Sequence, residues 1–374
     1  MKQTVGGVGR NVAQCLRELG VPAVFIAAVG EDITGRKVLK DLSCTIGKAG
    51  NSVKQVESGS TASFIVVLDK FGQHHFEAGD IDCMNQLSVD HLQKFKSTIE
   101  QAPLVFMDGN IPDDSMTYLL EICGKAQVPV FFEPTTASLA QRPILLNKLH
   151  CLTFASPNIA ELVQMSLAVA QSVFFEPTTA SLAQRPILLN KLHCLTFASP
   201  NIAELVQMSL AVAQSGGVKW NDRQLNMFSD ISQLDVVKKV DCLVQLCKPL
   251  VHHGPMAAVL VTMGSDGLLV VRKGQPEDSL LPVDKSVARP VSVTHYPVKA
   301  VERVVSVSGA GDCLAAAFIS AMLAGKSQHY CAAFAQACAR ATLSEDSTVP
   351  ELNIESLQKT AEAMADTYTV FESC

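Results

Sequence analysis

The chain has 374 residues, 48% of them hydrophobic and 18% charged, which suits a large core in one or two domains. A formal charge of −6 and a pI near 5.9 exclude a general attraction to nucleic acid or to an anionic membrane. No apolar run reaches the ~20 residues that cross a bilayer, the opening MKQTVGGVGRN lacks the apolar centre of a signal peptide, and the twelve scattered cysteines show no CxxC, HExxH or zinc-finger spacing. Buried free thiols in a reducing, cytoplasmic compartment are the expectation.

In chain order, Gly6, Gly7 and Gly9 precede a helix whose apolar stripe is Val12, Cys15, Leu16 and Leu19 and which Gly20 closes. The glycines allow close approach to something polar, and Asn11 offers both a donor and an acceptor. The plainer alternative is a glycine-rich turn with Asn11 at the helix start. GEDITGRK (Gly30–Lys37) resembles a phosphate-binding P-loop, but its lysine is one place late and Val38 replaces the hydroxyl residue, so it is rejected.

Val24–Val29, Ser63–Leu68, Leu104–Met107, Val128–Phe132, Leu152–Ala155 and Val259–Thr262 read as strands, mostly separated by helical segments. That alternation predicts an α/β fold with a mainly parallel sheet covered on both faces. Residues 52–80 carry two strand-like runs and no helix, which predicts a β excursion, read as a lid.

A 43-residue segment, 130–172, recurs without change at 173–215. Solenoid repeats of this period come in three or more drifting copies, so this is a tandem duplicate in which one strand-helix-strand-helix copy is surplus to the fold. The lead-in AQVPV favours copy one for the first strand. Gly216-Gly217 favours copy two for the last helix.

Three further motifs carry chemistry. Ser-Pro-Asn-Ile-Ala-Glu gives Asn158 with Glu161, and again Asn201 with Glu204. An acid three residues after Asn shares its helix face and suits water-mediated Mg²⁺ binding, although Asn-x-x-Glu is also a capping box. Thr262, Gly264 and Gly267 lie in a tight turn at the carboxyl end of a strand, where open α/β sheets bind ligands. A hairpin would need those glycines anyway. Finally, Gly309-Ala310-Gly311-Asp312 ends a β-branched run and starts a helix with Leu314, Phe318, Ala321 and Met322 on one face. Its bare amides and the helix dipole form an anion cradle without a lysine. The alternative is a turn with Asp312 as an ordinary cap.

Taken in order, these motifs resemble the ribokinase/PfkB family of carbohydrate and nucleoside kinases. The resemblance runs from about residue 6 to about residue 345. It implies a three-layer α/β/α ribokinase-like fold forming a single domain over residues 1–374, with ATP and Mg²⁺ as cofactors. It implies that Asp312 takes the proton of a substrate hydroxyl, that Gly309, Ala310 and Gly311 form the anion hole, and that Thr262, Gly264 and Gly267 line the nucleotide site. Asn and Glu of the PNxxE motif would organise Mg²⁺, and Gly7, Gly9, Asn11 and Asn110 would face the acceptor. MDGNIPDD and FFEPTT look most like the pseudouridine kinases, so phosphorylation of a nucleoside 5′-hydroxyl is expected, with ribose, another sugar or adenosine as alternative acceptors. A homodimer is admitted, and so is a monovalent cation, although Ser306-Val307-Ser308 stands where the family usually has Asp-Thr-Thr. Family members also begin about thirty residues earlier with a central strand, so that strand is expected to be missing and two sheet edges exposed. That departure favours the rival expectation of a non-catalytic binding or dimerisation protein.

Overall fold

Short β-branched and aromatic runs become strands, and the longer segments between them become helices. The computed structural model describes residues 5–45, 52–57, 59–68, 74–172, 231, 234–247, 251, 256–278, 280–281, 289–299, 301 and 303–371. The chain opens with α1 (Val8–Glu18), β1 (Ala27–Gly30), α2 (Ile33–Thr45) and β2 (Val53–Val56), followed by β3 (Ser63–Leu68) and β4 (His74–Asp80). Next come α3 (Val89–Gln93), α4 (Lys96–Glu100), β5 (Val105–Asp108), α5 (Asp113–Ala126), β6 (Val130–Glu133), α6 (Ala137–Ala140), α7 (Arg142–Leu145), β7 (Phe154–Ala155) and α8 (Ile159–Ser172). The last part holds α9 (Val236–Cys247), β8 (Ala258–Thr262), β9 (Leu268–Lys273), β10 (Val291–Tyr296), α10 (Ala310–Leu323), α11 (Gln328–Leu343), α12 (Ile354–Met364) and β11 (Thr369–Phe371).

The main sheet has the order β11-β10-β9-β8-β7-β6-β5. Strands β5 to β8 are parallel, because helices carry the chain back between them. Only a tight turn joins β8 to β9, so that pair is antiparallel, as are β9/β10 and β10/β11. β1 and β2 form a separate parallel pair, and β3 and β4 an antiparallel one. Among the described residues, no strand pairs with the outer edge of β5 or with the second edge of β1.

Alternation along the strands divides the core into two layers. Phe131, Phe154, Leu260 and Val270 point towards α1, α10 and α11, whereas Phe132, Ala155, Val261 and Leu269 point towards α5, α8 and α9. Phe131 and Phe154 are fully buried and stack at 6.0 Å between ring centroids, each contributing roughly 1.5–3 kcal/mol. This is the expected α/β/α arrangement.

Some expectations shift. β1 starts at Ala27 rather than Val24, whose side chain is 59% exposed. β10 is an additional strand. Copy one supplies β6, β7 and α8, while the expectation that copy two supplies the last helix falls outside the described residues. Three residues link β7 to α8, and the helix then docks on α9, where the Ser166 hydroxyl donates to the Leu246 carbonyl. Copy two, with Asn201 and Glu204, lies outside the described residues, as does Gly216-Gly217. No helix among the described residues is long and apolar enough to cross a membrane.

Candidate active site

The parallel strands deliver their last residues to one end of the sheet, where loops leave room for a ligand. β5 ends at Asp108, β6 at Glu133 and β8 at Thr262. β7 leads into Pro157-Asn158, and Asn158 bridges Thr262 in parallel register, with the Thr262 amide donating to the Pro157 carbonyl at 3.3 Å. The PNxxE motif and the glycine turn after β8 are thus adjacent.

The GAGD motif forms the start of α10. Gly309 is the N-cap residue with φ +83°, and a Cβ there would lie 2.0 Å from the Thr348 carbonyl oxygen. Only glycine fits. No side chain caps this helix, and the space beside the Gly311 Cα is open. Asp312 is therefore the third helical residue and not the cap. Its carboxylate turns away from its own helix and accepts a hydrogen bond from Asn11 Nδ2 at 2.7 Å.

That contact gives α1 its place. Gly7, the N-cap residue of α1, has φ +104°. The Gly9 amide donates to Asp108 Oδ2 at 3.1 Å, and a Cβ on Gly9 would come within 3.0 Å of the same oxygen. The other Asp108 oxygen accepts from the Asn110 amide at 2.9 Å. Asp108 therefore ties together two segments expected to face the acceptor. Asn11, however, is 4% exposed and spends its amide on Asp312 rather than presenting it freely.

Thr135 braces the same loop. Its hydroxyl accepts from the Gly109 amide at 3.3 Å and from Asn110 Nδ2 at 3.4 Å. To do so Thr135 takes φ +72°, a conformation that β-branched residues avoid. Arg142 holds the loop from outside, donating to the Gly109 carbonyl and pairing with Asp113.

Four carboxylates face this region, and burial disfavours their charged forms. The Asp312 pKa is pushed up to about 6, mainly by desolvation; the Asn11 hydrogen bond opposes the shift and the Asp108 charge adds to it. Burial likewise raises Asp108, against the amide hydrogen bonds from Asn110 and Gly9. Burial raises Glu133 strongly, with help from the charges of Glu161 and then Asp312, although the Ser156 hydroxyl donates to it. Glu161 is pushed up to about 7 by desolvation.

The PNxxE motif of copy one is a reciprocal capping box. The Asn158 amide donates to Glu161 Oε2 at 2.9 Å, and the Glu161 amide donates to Asn158 Oδ1 at 3.0 Å. Among the described residues no cluster of three His, Cys, Asp or Glu could ligate a metal directly. The donor set does fit a hydrated divalent cation: Glu161 keeps one oxygen outside the box, and its charge repels that of Glu133.

At the turn after β8, Gly264 has φ +60° and Gly267 φ +97°, and a Cβ on Gly267 would lie 2.1 Å from the Tyr296 carbonyl oxygen. Lys239 of α9, 7% exposed, pairs with Asp266 in this turn, and His295 Nε2 lies 2.6 Å from the Asp266 carbonyl. Sequence reasoning missed Asp108, Glu133, Thr135 and Lys239 as site residues. The first two carried a signal, since each is an acid directly after a predicted strand.

Comparison with known proteins agrees with this fold. The model of the pfkB family of carbohydrate kinases matches residues 1–172 and 189–354. A pseudouridine kinase of Arabidopsis thaliana is 24% identical over 389 residues, covering 96% of this chain and 86% of the relative. A pseudouridine kinase of Escherichia coli K12 is 30% identical over 167 residues, covering 44% of this chain and 51% of the relative. Among solved structures, Arabidopsis thaliana ribokinase complexed with ribose and ATP has a TM-score of 0.58 at 21% identity, covering 98% of this chain and 88% of that one. Adenosine kinase from Sinorhizobium meliloti gives 0.57 at 15%, covering 96% and 82%. With the fold, the helix-tip motif and a family match along most of its length in agreement, this chain belongs to the pfkB family of carbohydrate kinases.

Proposed function

We propose that the chain transfers the γ-phosphoryl group of ATP to the 5′-hydroxyl of a nucleoside, with pseudouridine as the favoured acceptor. Two relatives named as pseudouridine kinases support the acceptor. One observation carries the chemistry: Asp312 lies beside an uncapped helix start, with its carboxylate directed away from its own amides.

In this reading the acceptor oxygen attacks the γ-phosphorus as its proton passes to Asp312, and the bond from that phosphorus to ADP breaks. Amides of Gly309, Ala310 and Gly311 take up the charge spread over the phosphoryl oxygens, strengthened by the helix dipole. Thr262, Gly264 and Gly267 hold the nucleotide. Asn158 and Glu161 would hold Mg²⁺ through water, and the ion would supply charge neutralisation on the phosphates. Gly7, Gly9 and the Asp108–Asn110 loop position the acceptor, with β3 and β4 closing over it. An Asp312 pKa of about 6 leaves the carboxylate mostly ionised near pH 7.5, yet basic enough to receive a proton.

The test is Asp312→Asn, assayed with pseudouridine, uridine, adenosine and ribose. Turnover should fall by about 10²–10⁴-fold while ATP binding is kept. Wild-type turnover in that variant would reduce Asp312 to a structural role, and a preference for ribose or adenosine would replace the acceptor assignment.

A further inference from the structure

Behind the Asp312 carboxylate stands a chain of polar groups that the reaction itself does not use. Asn11 Oδ1 accepts from Arg10 Nη1 at 3.0 Å, and the Thr348 hydroxyl lies 3.3 Å from both this oxygen and the Val5 carbonyl, so its one proton is shared between them. A guanidinium has no acceptor, so Asn11 must turn its oxygen towards Arg10 and its Nδ2 towards Asp312. The amide orientation follows from chemistry alone. Arg10 is itself fixed: Nη2 pairs with Asp41 of α2 at 2.7 Å, and Nη1 also reaches the Val5 carbonyl at 3.1 Å and Thr348 Oγ1 at 3.5 Å. Arg10 is 8% exposed and Asn11 4%, so water does not readily replace these contacts. Thr348 lies between α11 and α12, and its carbonyl is the group that confines Gly309. One residue therefore touches both the Asn11 amide and the helix tip.

We infer that Arg10 and Thr348 are positioning residues that set the proton affinity of the catalytic carboxylate by locking the Asn11 amide onto it. The inference rests on the reading of Asp312 as the base. An N–H directed at a carboxylate favours its charged form, so a freed Asn11 side chain would leave burial and neighbouring charge less opposed. Those neighbours are Asp108 at the end of β5, Glu133 at the end of β6 with Glu161 of α8 beyond it, Cys15 of α1, and Cys313, the next residue of α10. Among the described residues Arg10, held by Asp41, brings a cation to this set, and it acts through Asn11.

The test is the pH dependence of kcat/KM for the acceptor between pH 5 and 9 in wild type, Arg10→Met and Thr348→Val. Wild type should lose activity on acidification through about pH 6. In Arg10→Met this limb should move up by about one pH unit, with a smaller move in Thr348→Val, while the alkaline plateau stays within a few-fold of wild type. Arg10→Lys should not restore the limb, because one ammonium cannot reach Asn11, Val5 and Asp41 together.

Arg10→Met breaks a largely buried ion pair and risks misfolding, so the milder Thr348→Val is the safeguard. A second readout does not depend on turnover. The ¹³C carboxyl resonance of Asp312, assigned by its loss in Asp312→Asn, should titrate higher in both variants. An unmoved acid limb and an unmoved resonance, even with lowered activity or stability, would overturn the inference. A moved resonance together with wild-type turnover in Asp312→Asn would instead leave the positioning intact and overturn the base.

Discussion

Two helices start at the candidate site with the same local grammar and opposite results. In α8 the acid three residues after the cap position folds back, and Glu161 closes a box with Asn158. In α10 the acid at the equivalent place, Asp312, reaches across to α1 and leaves its own first turn without a side-chain cap. Two differences in sequence account for this. Asn158 brings a side-chain oxygen to the cap position whereas Gly309 brings none, and Glu is one methylene longer than Asp. The box satisfies amides and stabilises α8. At the open tip the Gly309 and Gly311 amides have no acceptor among the described residues, and the Ala310 amide has only a long 3.4 Å bond to the Val307 carbonyl. These amides are left available to an anion. An acid near a helix start is thus not one signal, and the partner at the cap position decides what it means.

The sharpest way to break this contrast is to add one methyl group at each of two glycines of α10. In Gly311→Ala the new Cβ enters open space, so the protein should melt normally, but the methyl group should hold the phosphoryl group off the amides and lower turnover by about 10²-fold. In Gly309→Ala the Cβ meets the Thr348 carbonyl at 2.0 Å and φ is +83°, so stability should fall by well over ~1 kcal/mol. Thermal melts with steady-state kinetics read both. If Gly311→Ala kept full turnover, the tip would not be an anion site.

The second prediction concerns pH. Asp312 rises from an ordinary 3.8 to about 6 on folding, so between those values the folded chain holds more protons than the unfolded chain. Stability therefore declines as pH rises through this window and stays reduced above it. Asp312→Asn removes that penalty. At pH 8 the variant should be more stable by up to about 2–3 kcal/mol, less whatever the altered Asn11 contact costs, and at pH 4 the difference should vanish. Denaturant melts at the two pH values test this, and a variant less stable at pH 8 would contradict the burial penalty.

The smallest effect is expected at the closed end. Asn158→Ala removes half of the box and should cost about 1 kcal/mol, with a rise in the Mg²⁺ concentration needed for half-maximal turnover if the motif also organises the ion. A change in stability alone would leave α8 with a cap and nothing more.

What the sequence made legible follows from how local each feature is. The glycine run before α1, the GAGD start of α10 and the turn after β8 could be read because neighbouring residues define them. The strands that end at Asp108, Glu133 and Thr262 were recognisable from β-branched and aromatic runs. The network behind Asp312 was not, since Arg10, Asp41 and Thr348 come from the two ends of the chain and meet only after folding. Asn11 shows the cost of this: on its own it reads as a ligand-facing amide, and only the positions of Arg10 and Thr348 turn it towards Asp312. Identity of sequence between the two copies equally held no information about which one seats its helix on α9; in the described residues that helix is α8 of copy one.

Thr135 has an unusual consequence for anyone improving this protein's robustness. A survey of backbone angles would nominate Thr135→Gly early, since a β-branched residue at φ +72° stores about 1–3 kcal/mol that glycine would release. The same replacement would strip the acceptor loop of the hydroxyl that receives both the Gly109 and Asn110 protons. If this loop positions the acceptor as proposed, a more heat-resistant protein would be obtained with a slacker grip on its alcohol substrate, and selection by melting temperature alone would trade away turnover at this position.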